Sequence, residues 1–198
     1  MVIRALRLGI FGGTFDPIHF GHVEVANAVR DALRLDRVLV VVANHPWQKQ
    51  DQPVAPAEDR YAMVAAALSD QPGLEPSRLE LDRGGPSYTV DTVRQLRADD
   101  PEAELFVVVG ADVVGTLDTW HQQEELRQLV TLAVVDRPGA AHPDPPSGWR
   151  SIRVAARPVA VSSTDLRLAL EAGETVRGLV PDAVIRFISE RSLYATNR

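Results

Sequence analysis

GIFGGTFDPIHFGH, residues Gly9 to His22, is the stretch whose reading decides the fold. The apolar run Leu6–Phe11 reads as a strand, two glycines follow it, and after a polar loop a helix opens near Phe20. Glycine has no Cβ, so the backbone at Gly12 and Gly13 can pass close to a ligand. A helix start offers N–H groups without intrahelical partners and the positive end of the helix dipole, which together seat a phosphate. His19 and His22 stand three residues apart at that start and share one face. Strand, glycine turn, helix and paired histidines point to a nucleoside-triphosphate site. The stretch has neither the GxxxxGK[ST] pattern of P-loop proteins nor the GxGxxG of dinucleotide-binding folds.

Outward from that stretch, apolar runs recur at Val38–Ala43, Leu79–Leu81, Leu105–Val109, Leu132–Val135, Ser151–Val154 and Val159–Val161. Near-continuous Val and Leu are what a parallel sheet covered on both faces requires. Helical spacing falls between them, over Val23–Leu33, Ala57–Leu68, Thr89–Leu96, Gln122–Val130, Ser163–Ala172 and Pro181–Glu190, with a short turn near Asp112–Leu117. The alternation predicts an α/β fold: a doubly wound, Rossmann-like parallel sheet with helices on both faces. Ligands of such sheets bind beyond the carboxyl ends of the strands, where Gly12 lies. Pro138–Gly148 holds four prolines in eleven residues, which excludes helix and central strand there. It reads as a surface connection, and residues 1–198 as a single domain.

Composition narrows the function. The 198 residues are 45% hydrophobic and 24% charged, as in ordinary globular proteins, and the net charge is −6. An acidic balance argues against nucleic-acid binding, which needs a basic face. It leaves room for a small anionic substrate, because a local cluster of His, Lys and Arg overrides the mean field. With no cysteine, disulfides, thiolate catalysis and cysteine-ligated zinc are excluded. The opening MVIRALRLGIFGG has too short an apolar run for a signal peptide, and no run approaches the roughly 20 residues of a membrane span. A cytoplasmic protein is expected, with a homo-oligomer left open.

Four further segments carry chemistry. After the second strand, Lys49 is placed either to reach a phosphate across the strand ends or to stand in solvent, and Arg60 has the same two readings. Ser87, Tyr88 and Thr89 lead into a helix whose first N–H groups either hold a carboxylate or are simply capped. Gly110 and Asp112 follow a strand, where the acid suits a sugar hydroxyl or a helix cap. Trp120, before His121, is either a core residue or a platform for a flat ring. Ser163 and Thr164 open a late helix with Arg167 near the same face, a second phosphate-type helix start.

GGTFDPIHFGH resembles the T/HxGH signature of the nucleotidylyltransferase superfamily. The ensemble is similar to the bacterial nicotinate-mononucleotide adenylyltransferases: His19 in the first histidine position, Lys49, Arg60 in RYAMV, SYTVDT, GAD with a downstream Trp, RPG at Arg137–Gly139, and SSTDLR. The matching pieces run from Gly12 to Arg167. The resemblance implies transfer of AMP from ATP to nicotinate mononucleotide, giving deamido-NAD and pyrophosphate, with Mg²⁺ arriving on ATP and no metal held by protein ligands. It implies that His19 and His22 contact the ATP phosphates and stabilise the transition state, over a loop of Gly12, Gly13, Thr14 and Phe15. Ser163, Thr164 and Arg167 would hold the triphosphate, Gly110 and Asp112 the nucleoside portions, and Lys49 a phosphate near the acceptor. Trp120 would stack on the pyridine, with Ser87, Tyr88, Thr89 and His121 around its carboxylate. The SYT and Trp120 segments favour a pyridine nucleotide over phosphopantetheine, and the intact His19, His22, Lys49 and Arg167 favour an enzyme over a nucleotide sensor. The family's PPHK string is HisProTrpGlnLys here, and Val161 replaces an Ile.

Overall fold

The computed structural model describes residues 4–45, 55–136 and 144–195. Among the described residues, six parallel strands form one sheet: β1 (Arg7–Gly13), β2 (Arg37–Val42), β3 (Leu74–Ser77), β4 (Glu104–Gly110), β5 (Thr131–Asp136) and β6 (Ser151–Ala155), in the spatial order β3-β2-β1-β4-β5-β6. The order reverses between β1 and β4, so a crevice opens beyond the carboxyl ends of these two strands. Gly12 and Gly13 stand at that end of β1, and Gly110 at that of β4.

Strand pleating divides the core in two. Val38, Val40, Val42, Phe106, Val108, Ala133 and Val135 point to one face. There they meet α1 (Phe20–Leu33), α2 (Ala57–Leu68), α6 (Ser163–Glu171) and α7 (Asp182–Glu190) through residues such as Ala26, Met63, Leu166 and Val184. Leu8, Ile10, Leu39, Val41, Leu105, Val107, Val109, Leu132 and Val134 point to the other. That face meets α4 (Thr89–Asp99), a short 3-10 helix (Val114–Thr119) and α5 (Gln123–Leu129). No helix among the described residues is long and apolar enough to cross a membrane.

Two expected strands are absent. Leu79–Leu81 lies in a short helix, α3 (Leu79–Arg83), and the strand precedes it at Leu74–Ser77. Pro76 is tolerated in β3 because β3 is an edge strand, where an N–H on the outer side has no partner to lose. Val159–Val161 forms a tight turn closed by a bond from Val161 N–H to the Val159 carbonyl at 2.9 Å. Residues 138–143 of the proline-rich segment, and the RPG at Arg137–Gly139, fall outside the described residues.

Gly9 shows how closely β1 is packed. A Cβ there would fall 2.9 Å from both Leu35 and Val38. Gly9→Ala is therefore expected to cost about 1–3 kcal/mol by overpacking, lowering Tm by roughly 2–4 °C for each kcal/mol. Thermal unfolding followed by circular dichroism checks this, and an unchanged Tm would contradict the packing argument.

Candidate functional site

The turn after β1 is built around three groups that need one another. Phe15 takes a left-handed φ of 51° and is buried, its ring edge-on to Phe11 at 5.5 Å and to His22 at 5.0 Å. A Cβ on Gly13 would meet that ring at 2.7 Å, so glycine is what lets the chain fold back over it. A Cβ on Gly12 would meet nothing within 4 Å, which leaves its backbone open to the crevice.

His19 is the N-cap of α1, and its ring stacks on that of His22 with centroids 3.7 Å apart and planes 20° off parallel. A Cβ on Gly21 would approach the His19 ring to 3.0 Å, so the small residue between the histidines leaves the stack its space. The His19 backbone N–H donates to His22 Nδ1 at 3.3 Å. With Nδ1 as acceptor, the neutral His22 ring carries its proton on Nε2.

The loop between β1 and α1 is held from below by Arg60 on α2. This side chain is 2% exposed and donates to four backbone carbonyls: Thr14 at 2.9 Å, Ala43 at 2.7 Å, Asn44 at 3.2 Å and Ala55 at 2.9 Å. Arg60 is thus neither the phosphate ligand nor the solvated cation that the sequence allows. Burial lowers its pKa, and the nearby Asp16 and Tyr194 oppose that shift.

Asp16, also buried, accepts from Tyr194 Oη at 2.6 Å and from the Ala55 N–H at 3.3 Å. Desolvation, and then the bond to Asp16, push the Tyr194 hydroxyl pKa far above its ordinary value, so the hydroxyl remains a donor. The start of α6 reaches the same loop. Ser162 caps α6 by accepting from the Asp165 N–H at 3.1 Å, while Ser163 Oγ donates to the Pro17 carbonyl at 3.0 Å. Arg167 Nη1 donates to the Asp16 carbonyl at 2.8 Å, and Thr164 is exposed. The two phosphate-type helix starts therefore share one loop.

Beyond Gly12, Gly13 and Thr14 the crevice deepens into a cavity of about 160 Å³. Its far wall is Ser87, Tyr88, Thr89, Trp120 and His121, and Glu80 and Thr92 also line it. The Tyr88 and His121 rings stack at 4.3 Å. Trp120 Nε1 is buried without a hydrogen-bond partner. Ser87 Oγ accepts from the Asn44 N–H at 2.8 Å, fixing this wall to the end of β2. No side chain caps α4 at Tyr88, so its leading N–H groups and positive dipole end stand at a wall of the cavity.

Gly110 ends β4 and Asp112 is exposed in the turn beyond, outside the cavity lining. Lys49, Trp47 and Gln48 fall outside the described residues, so the HisProTrpGlnLys departure is described only at His45, which bridges to Pro86. Sequence reasoning missed Asp16, Glu80, Thr92 and Tyr194. Glu80 was masked by its two leucine neighbours, which read as strand.

A family model described as cytidylyltransferase-like matches residues 10–169. A Streptomyces coelicolor protein named "Probable nicotinate-nucleotide adenylyltransferase" is 46% identical over 186 residues, covering 92% of this chain and 98% of its own. A Thermus thermophilus protein of the same name is 46% identical over 189 residues, covering 96% and 100%. The structure of Plasmodium falciparum nicotinic acid mononucleotide adenylyltransferase complexed with NaAD is similar with a TM-score of 0.78, over 96% of this chain and 97% of that one. Its sequence identity is 17%, so that likeness is one of fold.

The Arg60 clamp generates a stability prediction. Arg60→Leu leaves the carbonyls of Thr14, Ala43, Asn44 and Ala55 without this donor, at a cost of at least about 3 kcal/mol. Arg60→Lys should recover only part of it, since an ammonium lacks the planar fork. Urea denaturation measures both; wild-type stability in Arg60→Leu would show that water replaces the clamp.

Proposed function

This chain belongs to the nicotinate-nucleotide adenylyltransferase family, within the cytidylyltransferase-like group, and on that premise we propose that it transfers AMP from ATP to nicotinate mononucleotide. The products are deamido-NAD and pyrophosphate. The observation that carries the reading is the junction at Gly12–Thr14. On one side the turn leads to stacked His19 and His22 at a helix start, and on the other it lines a cavity walled by Tyr88 and Trp120.

The acceptor's 5′-phosphate oxygen attacks the α-phosphorus of ATP in line. A new P–O bond forms, the bond from the α-phosphorus to its bridging oxygen breaks, and pyrophosphate leaves. A phosphate monoester is already ionised near neutrality, its second pKa being about 6. No general base and no covalent intermediate is required; the site positions two anions and spreads the developing charge.

His22 Nε2–H, the His19 ring and the start of α1 face the ATP phosphates over the open backbone of Gly12. Arg167 holds the loop with one arm, and its other N–H groups reach the triphosphate. Ser163, whose hydroxyl donates to the Pro17 carbonyl, serves phosphate through its backbone N–H, with Thr164 beside it. Lys49 grips the acceptor phosphate, and Gly110 and Asp112 contact the nucleoside. Mg²⁺ enters as part of the substrate, on the triphosphate oxygens. Among the described residues no group of three or more His, Asp or Glu is placed to hold a metal.

The pyridine ring lies against Trp120, with its carboxylate toward the uncapped start of α4 and His121. A carboxamide there would set its NH₂ against donors and leave them unpaired, at about 1–3 kcal/mol. The nicotinate nucleotide should therefore exceed the amide by roughly 5–150-fold in kcat/KM. The test is pyrophosphate release with ATP, Mg²⁺ and each mononucleotide in parallel; release with neither would overturn the assignment. His22→Ala is expected to lose about 10²–10³ in kcat with an unchanged circular-dichroism spectrum, and near-normal turnover would remove His22 from the chemistry.

A further inference from the structure

Glu80 has no part in the reaction above, yet its residue is 7% exposed and lines the cavity. Its Oε1 accepts from Thr92 Oγ1 at 2.7 Å, and that hydroxyl in turn accepts from Arg83 Nη2 at 3.2 Å. Arg83 Nη2 lies 3.9 Å from Oε1, and Thr92 is fully buried. The direction of this chain is fixed: the guanidinium can only donate, so the Thr92 proton goes to Glu80. A hydrogen-bonded chain of this kind polarises its members and holds the carboxyl group in one orientation. One oxygen is enough to satisfy Thr92. The second, Oε2, accepts no hydrogen bond among the described residues, and the residue lines the cavity.

A carboxylate oxygen in a binding cavity is an acceptor awaiting a donor. The proposed acceptor substrate has few donors to offer. Its pyridinium ring has no N–H, its carboxylate and ester phosphate are acceptors at neutral pH, and only the two ribose hydroxyls carry exchangeable protons. We propose that Glu80 Oε2 accepts a hydrogen bond from a ribose hydroxyl of the acceptor nucleotide, with Thr92 and Arg83 holding it in place. This rests on nicotinate mononucleotide being the acceptor. It gives the cavity two polar anchors of opposite kind, donors at the start of α4 for the carboxylate and an acceptor at Glu80 for the sugar. A ring carrying a carboxylate but no ribose would satisfy only the first.

The test compares kcat/KM for nicotinate mononucleotide and its 2′-deoxy and 3′-deoxy forms in the wild type, Glu80→Gln and Glu80→Ala. A hydrogen bond to a charged group corresponds to roughly 10–100-fold in the wild type, lost with one of the deoxy substrates. In Glu80→Ala that penalty should shrink below about threefold. Glu80→Gln keeps an amide oxygen for Thr92, so it preserves the fold and should show an intermediate penalty; it decides the matter if the alanine variant unfolds. A deoxy penalty as large in the variants as in the wild type would overturn the proposal. So would the absence of any penalty in the wild type. An equal loss on all three substrates would instead assign Glu80 the role of counter-charge to the pyridinium. Failure of the wild type to turn over nicotinate mononucleotide at all would overturn the substrate reading itself, which the same assay reports separately.

Discussion

The interaction on which the rest of the site depends is the buried guanidinium of Arg60 beneath the β1–α1 loop. A loop packed against a sheet end carries carbonyls that water cannot reach, and each must find a donor. Arg60 supplies donors to four of them from three separate segments, the loop, the end of β2 and the entry to α2. Lysine could not do this from one position. The positive charge so buried faces the Asp16 carboxylate, which Tyr194 and the Ala55 N–H also serve. Thus the C-terminal end of the described chain, α2 and the first loop are joined through Tyr194, Asp16 and Arg60.

That framework explains why the cationic residues divide into two classes. A site that brings two phosphates together needs positive potential in a chain whose net charge is −6. Some of it comes without any side chain, from the starts of α1 and α6. Arg60 is committed to the backbone and Arg167 is shared, with one arm on the Asp16 carbonyl. Fixing an arginine by one arm reduces the freedom lost when its other donors engage a ligand. The hydroxyl of Ser163 has the same logic: by donating to the Pro17 carbonyl it helps place the loop.

Most of the fold was legible because its signals are local. Near-continuous Val in β2, β4 and β5, and helical spacing in α1, α2 and α4, need no tertiary knowledge to read. That the glycines and histidines of the first loop meet at one turn was legible for a different reason: they lie within one short stretch, Gly12 to His22. Burial is not written along the chain. RYAMV gives no sign that Arg60 points inward, and Leu-Glu-Leu reads as a strand although Glu80 is turned toward Thr92 twelve residues on. β3 was misplaced because its Pro76 contradicts a strand unless the strand is known to be an edge. Edge position is a property of the whole sheet.

The cavity adds a point about selectivity that neither the loop nor the helix start contains. A phosphate-binding turn of this kind accepts any nucleotide that presents a phosphate, since backbone N–H groups and histidines read charge and not the attached group. Discrimination has to come from the far wall, where the polar groups differ in sign. Donors at α4 and an acceptor at Glu80 cannot both be satisfied by a ligand inserted the wrong way round, because each would then face its own kind. An unpaired polar group in a confined cavity costs more than a missing contact does. In the proposed binding mode, orientation is therefore enforced by the mismatch as much as by the match.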